Sequence, residues 1–161
     1  MSIDSRELRD AFGQFATGVC VVTAKAEDGR TFGMTINSFS SVSLSPALLL
    51  WSVQNDSTQT DDWLAVEHFA ISVLAADQQD VSNYFASKGD RHIPAEFHAS
   101  CELGVPMINQ AKAQFVCRVS QRLPGGDHTI IVGEVLSMGT PRPESAPLVF
   151  YSGKYRQLAD V

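Results

Sequence analysis

The sequence predicts a mainly β fold, a small antiparallel barrel with helices in the connections, on three observations. Six or seven short apolar runs rich in Val, Ile and Phe recur between turn signals along the 161 residues. Two of the signals, Glu27-Asp28-Gly29 and Pro124-Gly125-Gly126-Asp127, separate matched runs in the manner of hairpins. Helical periodicity is confined to short stretches between the strands. So many strands in one open sheet would leave unpaired edges, which closure removes. At 44% hydrophobic, the chain can bury one substantial core and is short for two, so residues 1–161 are expected to form a single domain.

The elements follow in order. Residues 4–16 place Leu8, Ala11, Phe12 and Phe15 on one helical face, with Asp4 and Glu7 at capping-box spacing. Both phenylalanines are expected in the core. Gly18 ends this helix, and residues 19–23 read as a buried strand that turns at 27–29 into a second strand from Arg30 to about Ser38. Ala47 to Val53 is a third strand. Thr58, with Asp61 three residues on, is expected to cap a helix carrying Trp63, Leu64, Val66 and Phe69. Strand character returns from Phe69 to Leu74, and Asp77 with Asp80 is expected to cap a helix presenting Val81, Tyr84 and Phe85. Residues 86–106 show little periodicity and read as a long functional loop. Residues 113–122 and 128–138 form a long hairpin, and residues 148–151 and 155–158 are short closing strands.

Composition excludes several classes of function. With 19% charged residues, a net charge of −6 and no basic stripe, the chain does not present the clustered cations that a nucleic-acid backbone requires. No apolar run approaches the roughly 18 residues of a membrane span and the N-terminus lacks a signal-like apolar stretch, so a cytoplasmic protein is expected. Cys20, Cys101 and Cys117 are far apart and in no metal-binding spacing; Cys20 and Cys117 fall in strand patterns and are expected in the core. The spacing of His68, His92 and His98 offers no metal triad.

The chemistry is concentrated in two polar clusters. Gly33 to Pro46 contains Thr35, Asn37, Ser38, Ser40, Ser41 and Ser43, and Asn55 to Thr60 contains Ser57, Thr58 and Thr60. They flank the apolar strand 47–53, so their polar atoms should meet at its two ends. Hydroxyls satisfy phosphate oxygens and an apolar strand supplies a wall for a flat ring system, an arrangement suited to a phosphorylated planar cofactor. Taken alone, the first cluster also reads as the polar face of an ordinary strand, and the second as a plain helix cap.

Longer motifs carry a resemblance. Phe15-Ala16-Thr17-Gly18-Val19, then Gly33-Met34-Thr35-x-Asn37-Ser38-Phe39-x-Ser41-Val42-Ser43-Leu44-x-Pro46, Gly126-Asp127-His128-Thr129 with Gly133-x-Val135, and Pro147-Leu148 to Gly153-Lys154-Tyr155-Arg156 occur in this order. The chain resembles the short-chain flavin reductase family over nearly its whole length. The resemblance implies a split β-barrel that binds FMN or FAD, dimerises, and transfers hydride from NADH or NADPH to flavin, in many cases for a partner monooxygenase. It implies that Thr35, Asn37 and Ser38, with Ser52, Val53 and Gln54 beside them, lie near the isoalloxazine and ribityl chain. Ser57, Thr58 and Thr60 then lie at phosphate, Tyr155 joins the cofactor-binding set, and His128 lies near the nicotinamide. One departure is the phosphate segment, where Asp56 and Gln59 stand in place of the basic residue often found in the family. Lys88 or Arg91 is the expected source of the missing charge. Hydride transfer needs no protein acid, base or nucleophile, and no G-x-G-x-x-G fingerprint is present for a Rossmann unit. A flavin carrier or sensor without turnover is the alternative on the same barrel. A flavin oxidase acting on a small amine would want a basic substrate patch that the sequence lacks.

Overall fold

Seven strands make the central antiparallel sheet of the computed structural model, which describes residues 2–89, 92–99 and 103–159. In chain order the elements begin with α1 (Ser5–Phe12), β1 (Thr17–Gly18), β2 (Cys20–Lys25), β3 (Thr31–Ile36), β4 (Ser40–Leu44), β5 (Ala47–Gln54), α2 (Thr60–Ala65) and β6 (His68–Val73). They continue with α3 (Gln79–Ala86), β7 (His98–Ala99), β8 (Met107–Ile108), β9 (Ala113–Gly125), β10 (His128–Gly139), β11 (Val149–Tyr151) and β12 (Lys154–Arg156). The central order is β3-β2-β6-β9-β10-β5-β4, every pair antiparallel. The sheet curls without pairing its edge strands β3 and β4, so the barrel is split, not closed. A three-stranded sheet, β1-β11-β12, lies outside it and β7-β8 form a short ribbon.

Alternation along the strands decides the core. Leu49, Trp51 and Val53 of β5 turn inward and are buried, while Leu48, Leu50 and Ser52 are half-buried on the other face. Inside the barrel, Trp63 of α2 packs against Phe32 and Trp51, with ring centroids 4.5 and 5.0 Å away, and Trp51 packs edge-on against Phe69. Cys20 and Cys117 lie in this interior, and burial pushes both thiols up to about 12, so they remain neutral packing residues. A second cluster, including Val21, Leu74, Val81, Phe85 and Leu148, holds α3 and the outer sheet against the barrel.

The close approach of α3 is set at Gly33. A Cβ there would lie 3.0 Å from the Phe85 ring and 3.1 Å from the Val22 carbonyl oxygen. Phe85 therefore rests directly on the backbone of β3, and the end of α3 is delivered beside Met34 and Thr35.

Several local expectations are corrected. Helix α1 is capped by Asp4, whose carboxylate accepts from the Arg6 and Glu7 N–H groups, but it buries no residue; Phe12 is 70% and Phe15 79% exposed instead of lying in the core. Helical periodicity marks an apolar face, and among the described residues none covers Phe12 and Phe15. Helix α2 starts at Thr60, two residues beyond the expected Thr58 cap, and Gln59 at its start makes no side-chain capping bond. Asp77 does not cap α3 either: its carboxylate holds Arg142 at 2.8 Å, an ion pair that lowers the Asp77 pKa. The 86–106 stretch includes a short 3₁₀ turn at Ala95–Phe97 and strands β7 and part of the ribbon to β8. Strand β4 was not expected, because Ser40, Ser41 and Ser43 show no apolar alternation; its ladder to β5 defines it.

Candidate functional site

Two adjoining hollows line the groove between β3, the end of β5 and α3. The larger, about 590 Å³, is walled by Met34 and Thr35, by Gln54 and residues 56–59, and by residues 85–89. The smaller, about 170 Å³, lies among Val19, Ile36, Asn37, Ser82, Phe150 and Tyr155, and shares Thr35 and Ala86 with the larger. The volume of the first falls within the roughly 300–1,000 Å³ of small-molecule sites.

A bigger hollow, about 920 Å³, lies by the β2–β3 turn and the end of α2. Its wall mixes Lys25 and Arg30 with Glu27, Asp28, Asp62 and Glu67, and Arg30 already pairs with Asp62 at 3.0 Å. Size alone therefore does not mark the chemistry; the β3–β5–α3 groove is the candidate because Thr35 and Asn37 of the first polar cluster and Ser57 and Thr58 of the second line its hollows.

The structure brings Thr35, Gln54, Ser57, Thr58 and Lys88 to the larger hollow. Lys88 faces the segment 56–59 because α3 is docked at Gly33. It supplies a cation opposite Asp56, the other charged residue on the described wall. Arg91 and Cys101 lie outside the described residues. Asn37 and Tyr155 line the smaller hollow, where the Tyr155 and Ser82 hydroxyls are 2.7 Å apart. Thr35 donates from Oγ1 to the Ser82 carbonyl at 2.6 Å, so its hydroxyl proton is committed to fastening α3 while its oxygen can still accept.

Other expected residues act more as frame. The Ser52 N–H donates to the Ser38 hydroxyl oxygen at 3.0 Å, and this bond closes the side of β5 beyond the β4 ladder. Val53 is wholly buried in the barrel, backbone included, and packs in the core instead of at the expected cofactor position. Thr60 is buried and donates to the Gln54 carbonyl at 2.7 Å, while the Ser57 hydroxyl accepts from the Gln59 N–H at 3.3 Å. These bonds fold the chain tightly from the end of β5 into α2, which displaces the helix start from Thr58.

Gln59 escaped the sequence reading as a binding residue. It lines the larger hollow, is 6% exposed, and its side-chain nitrogen is buried without a hydrogen-bond partner among the described residues. An unsatisfied buried donor costs about 1–3 kcal/mol, so a ligand oxygen at this wall would relieve it. The residue type alone carried no signal, since a glutamine in a polar segment is ordinarily solvated.

His128 begins β10 directly opposite Gln54 in the ladder, at the rim and not on the wall of the hollow. Its Nδ1 lies 2.7 Å from the Asp127 carboxylate, and the imidazole side chain is 41% exposed. The hydrogen bond from His128 holds the Asp127 carboxyl below its usual range. Among the described residues no group of three potential metal ligands is found, and no helix is long and apolar enough to cross a membrane.

Comparison with known proteins decides the family. Residues 12–159 match the family described as Flavin reductase like domain. The chain belongs to this family. It is similar to the reductase component of flavin-dependent trigonelline monooxygenase from Acinetobacter baylyi, 44% identical over 150 residues, covering 93% of this chain but 48% of that protein. The NADH-dependent FMN reductase SmoA of Agrobacterium fabrum is 43% identical over 152 residues, covering 94% of this chain and 85% of the relative. Among solved structures, the Streptomyces globisporus NADH:FAD oxidoreductase SgcE6, in complex with NAD and FAD fragments, superposes with a TM-score of 0.89 at 36% identity, covering 99% of this chain and 97% of that one. The expected split barrel is thus the fold of flavin reductases. The chain spans about half the length of some relatives, the trigonelline reductase component among them.

Proposed function

We propose that the protein is an NADH-dependent flavin reductase that takes FMN or FAD in the groove between β3, β5 and α3 and supplies reduced flavin to a partner monooxygenase. The observation that carries this reading is the convergence of Gln54, Ser57, Thr58, Gln59 and Lys88 on one hollow of suitable size, next to the half-buried polar face of β3. Hydroxyls, the unpartnered Gln59 amide and one ammonium form a donor set for phosphate and ribityl oxygens. Asp56 opposes an anion there, so Lys88 offsets the carboxylate before it attracts phosphate. The similar proteins named as FMN and FAD reductases support either flavin, and those named NADH-dependent favour NADH over NADPH.

A flavin held in this groove would supply a hydride acceptor for the nicotinamide, chemistry that belongs to the two ring systems. The chain's own residues hold and orient. Ser57, Thr58 and Lys88 fix the phosphate end, Thr35 and Asn37 offer polar atoms along the ring and ribityl edge, and Tyr155 closes the smaller hollow. His128 at the rim orients the nicotinamide, with Asp127 keeping its imidazole aligned.

We read the working unit as a homodimer of one domain, residues 1–161, in the cytoplasm, where NADH is available. Support comes from the apolar face of α1: Phe12 and Phe15 project beside the outer sheet, tied to it where the Ser152 N–H donates to the Gly13 carbonyl at 2.9 Å. A second copy covers this face and the open groove together. Sedimentation at micromolar concentration should show a dimer, and a catalytically competent monomer would refute the shared arrangement.

Titration with FMN and with riboflavin tests the groove directly. FMN should bind more tightly, because riboflavin lacks the phosphate that the 57–59 segment and Lys88 are placed to hold; equal affinities would remove the phosphate site. His128→Ala should raise the KM for NADH or lower kcat while leaving flavin affinity and folding nearly intact, since one hydrogen bond is worth about 0.5–1.5 kcal/mol. Stopped-flow reduction at the wild-type rate across NADH concentrations would make His128 a turn residue.

A further inference from the structure

We propose that Asn55 is a positioning residue for His128, its side-chain amide fastening the β9–β10 turn to the end of β5; this rests on the role proposed above for the histidine. Residues 125–127 at the tip of the hairpin are exposed, Gly126 sits at φ +71°, and the Ile130 side chain lies against Gly125 but not Gly126, so polar contacts are needed to hold the rest of the turn. The imidazole's hydrogen-bond partner, the Asp127 carboxylate, belongs to the same exposed turn, so that bond does not by itself tie the imidazole to the barrel.

Asn55 makes that connection. Its backbone N–H donates to the Asp127 carbonyl at 2.9 Å, its Nδ2 donates to the Gly126 carbonyl at 3.3 Å, and its Oδ1 accepts from the Thr129 hydroxyl at 2.8 Å. The contacts bracket His128 on both sides. Asn55 also stands between Gln54 and Asp56, both on the wall of the larger hollow. The Gln54–His128 ladder pairing sets the backbone distance from that wall, and Asn55, matched in donor and acceptor to the turn, holds the turn that carries the imidazole's partner.

The test uses Asn55→Ala and, from the other side of the same bond, Thr129→Val. Hydrogen exchange of the 126–130 amides in the unliganded protein reads the fastening, and the NADH dependence of FMN reduction reads its consequence. Both variants should speed local exchange and raise the KM for NADH about three- to tenfold, the worth of one or two exposed hydrogen bonds, with kcat and FMN affinity held within about twofold. In a His128→Ala background, Asn55→Ala should add no further kinetic effect. Unchanged exchange, an equal loss of FMN affinity, or a full additional effect in the His128→Ala background would overturn the proposal. Faster exchange combined with a kinetically silent His128→Ala would uphold the fastening and instead refute the nicotinamide role of the histidine.

Discussion

Lys88→Glu is expected to weaken FMN binding by about one to two orders of magnitude, the equivalent of one charge-assisted hydrogen bond worth roughly 1.5–3 kcal/mol. The reason is the charge balance of the larger hollow. Asp56 and Lys88 are the charged residues on its described wall, so reversal leaves two carboxylates facing the phosphate. Riboflavin affinity should change far less, because the substitution lies at the end of α3 beyond the ring-binding edge. The loss should also shrink as ionic strength rises, since Lys88 is exposed and its field is screened by salt. Fluorescence titration with both ligands separates these effects, and an FMN affinity that survives the reversal would return Lys88 to the solvated surface.

Gly133→Ala is expected to destabilise the fold by about 1–3 kcal/mol without altering the chemistry of the groove. A Cβ at this position would lie 2.5 Å from Cζ of Phe69 and 3.0 Å from Cβ of Cys117, both fully buried in the barrel. Neither neighbour is the loose end of a flexible side chain. Phe69 is itself held edge-on by Trp51 at 5.8 Å, so the ring cannot yield without moving the aromatic core. A lower denaturation midpoint with an unchanged dependence on denaturant is the expected result, while an unaltered midpoint would mean that the barrel is looser here than its packing implies.

Gly133 also shows what the sequence made legible. The residue appeared there as part of a family motif, and its reason, the approach of Phe69 from β6 across the sheet, is a tertiary fact. The β9–β10 hairpin is readable because Val, Ile and Phe flank an unmistakable glycine turn, although its strands run further, to Gly125 and to Gly139. Strand β4 was not readable, since three serines in five residues give no period and only the ladder to β5 organises them. Phe12 and Phe15 lie on or just beyond a real helix, yet periodicity cannot report whether anything covers its face.

The site divides along the same line. Ser57 and Thr58 are visible as part of a polar cluster at the end of an apolar strand, which requires only local order to be correct, whereas Gln54 follows only from the family resemblance. Lys88 entered as a remedy for missing charge, and what brings it to the hollow is the docking of α3 on Gly33. Thr60 and Ser38 carry the expected residue types but direct their hydroxyls into backbone bonds, a choice set by geometry that composition does not encode. Gln59 was passed over because its burial follows from the fold of residues 54–60 and not from its polarity.

The most direct test of the whole account is anaerobic stopped-flow mixing of the protein and FMN with NADH, following loss of the oxidised-flavin visible band. Bleaching should require the protein, saturate with NADH, and slow in His128→Ala at low NADH more than at high. Bleaching no faster than in a protein-free control, with FMN shown by titration to be bound, would contradict it and leave a flavin-binding protein without reductase turnover.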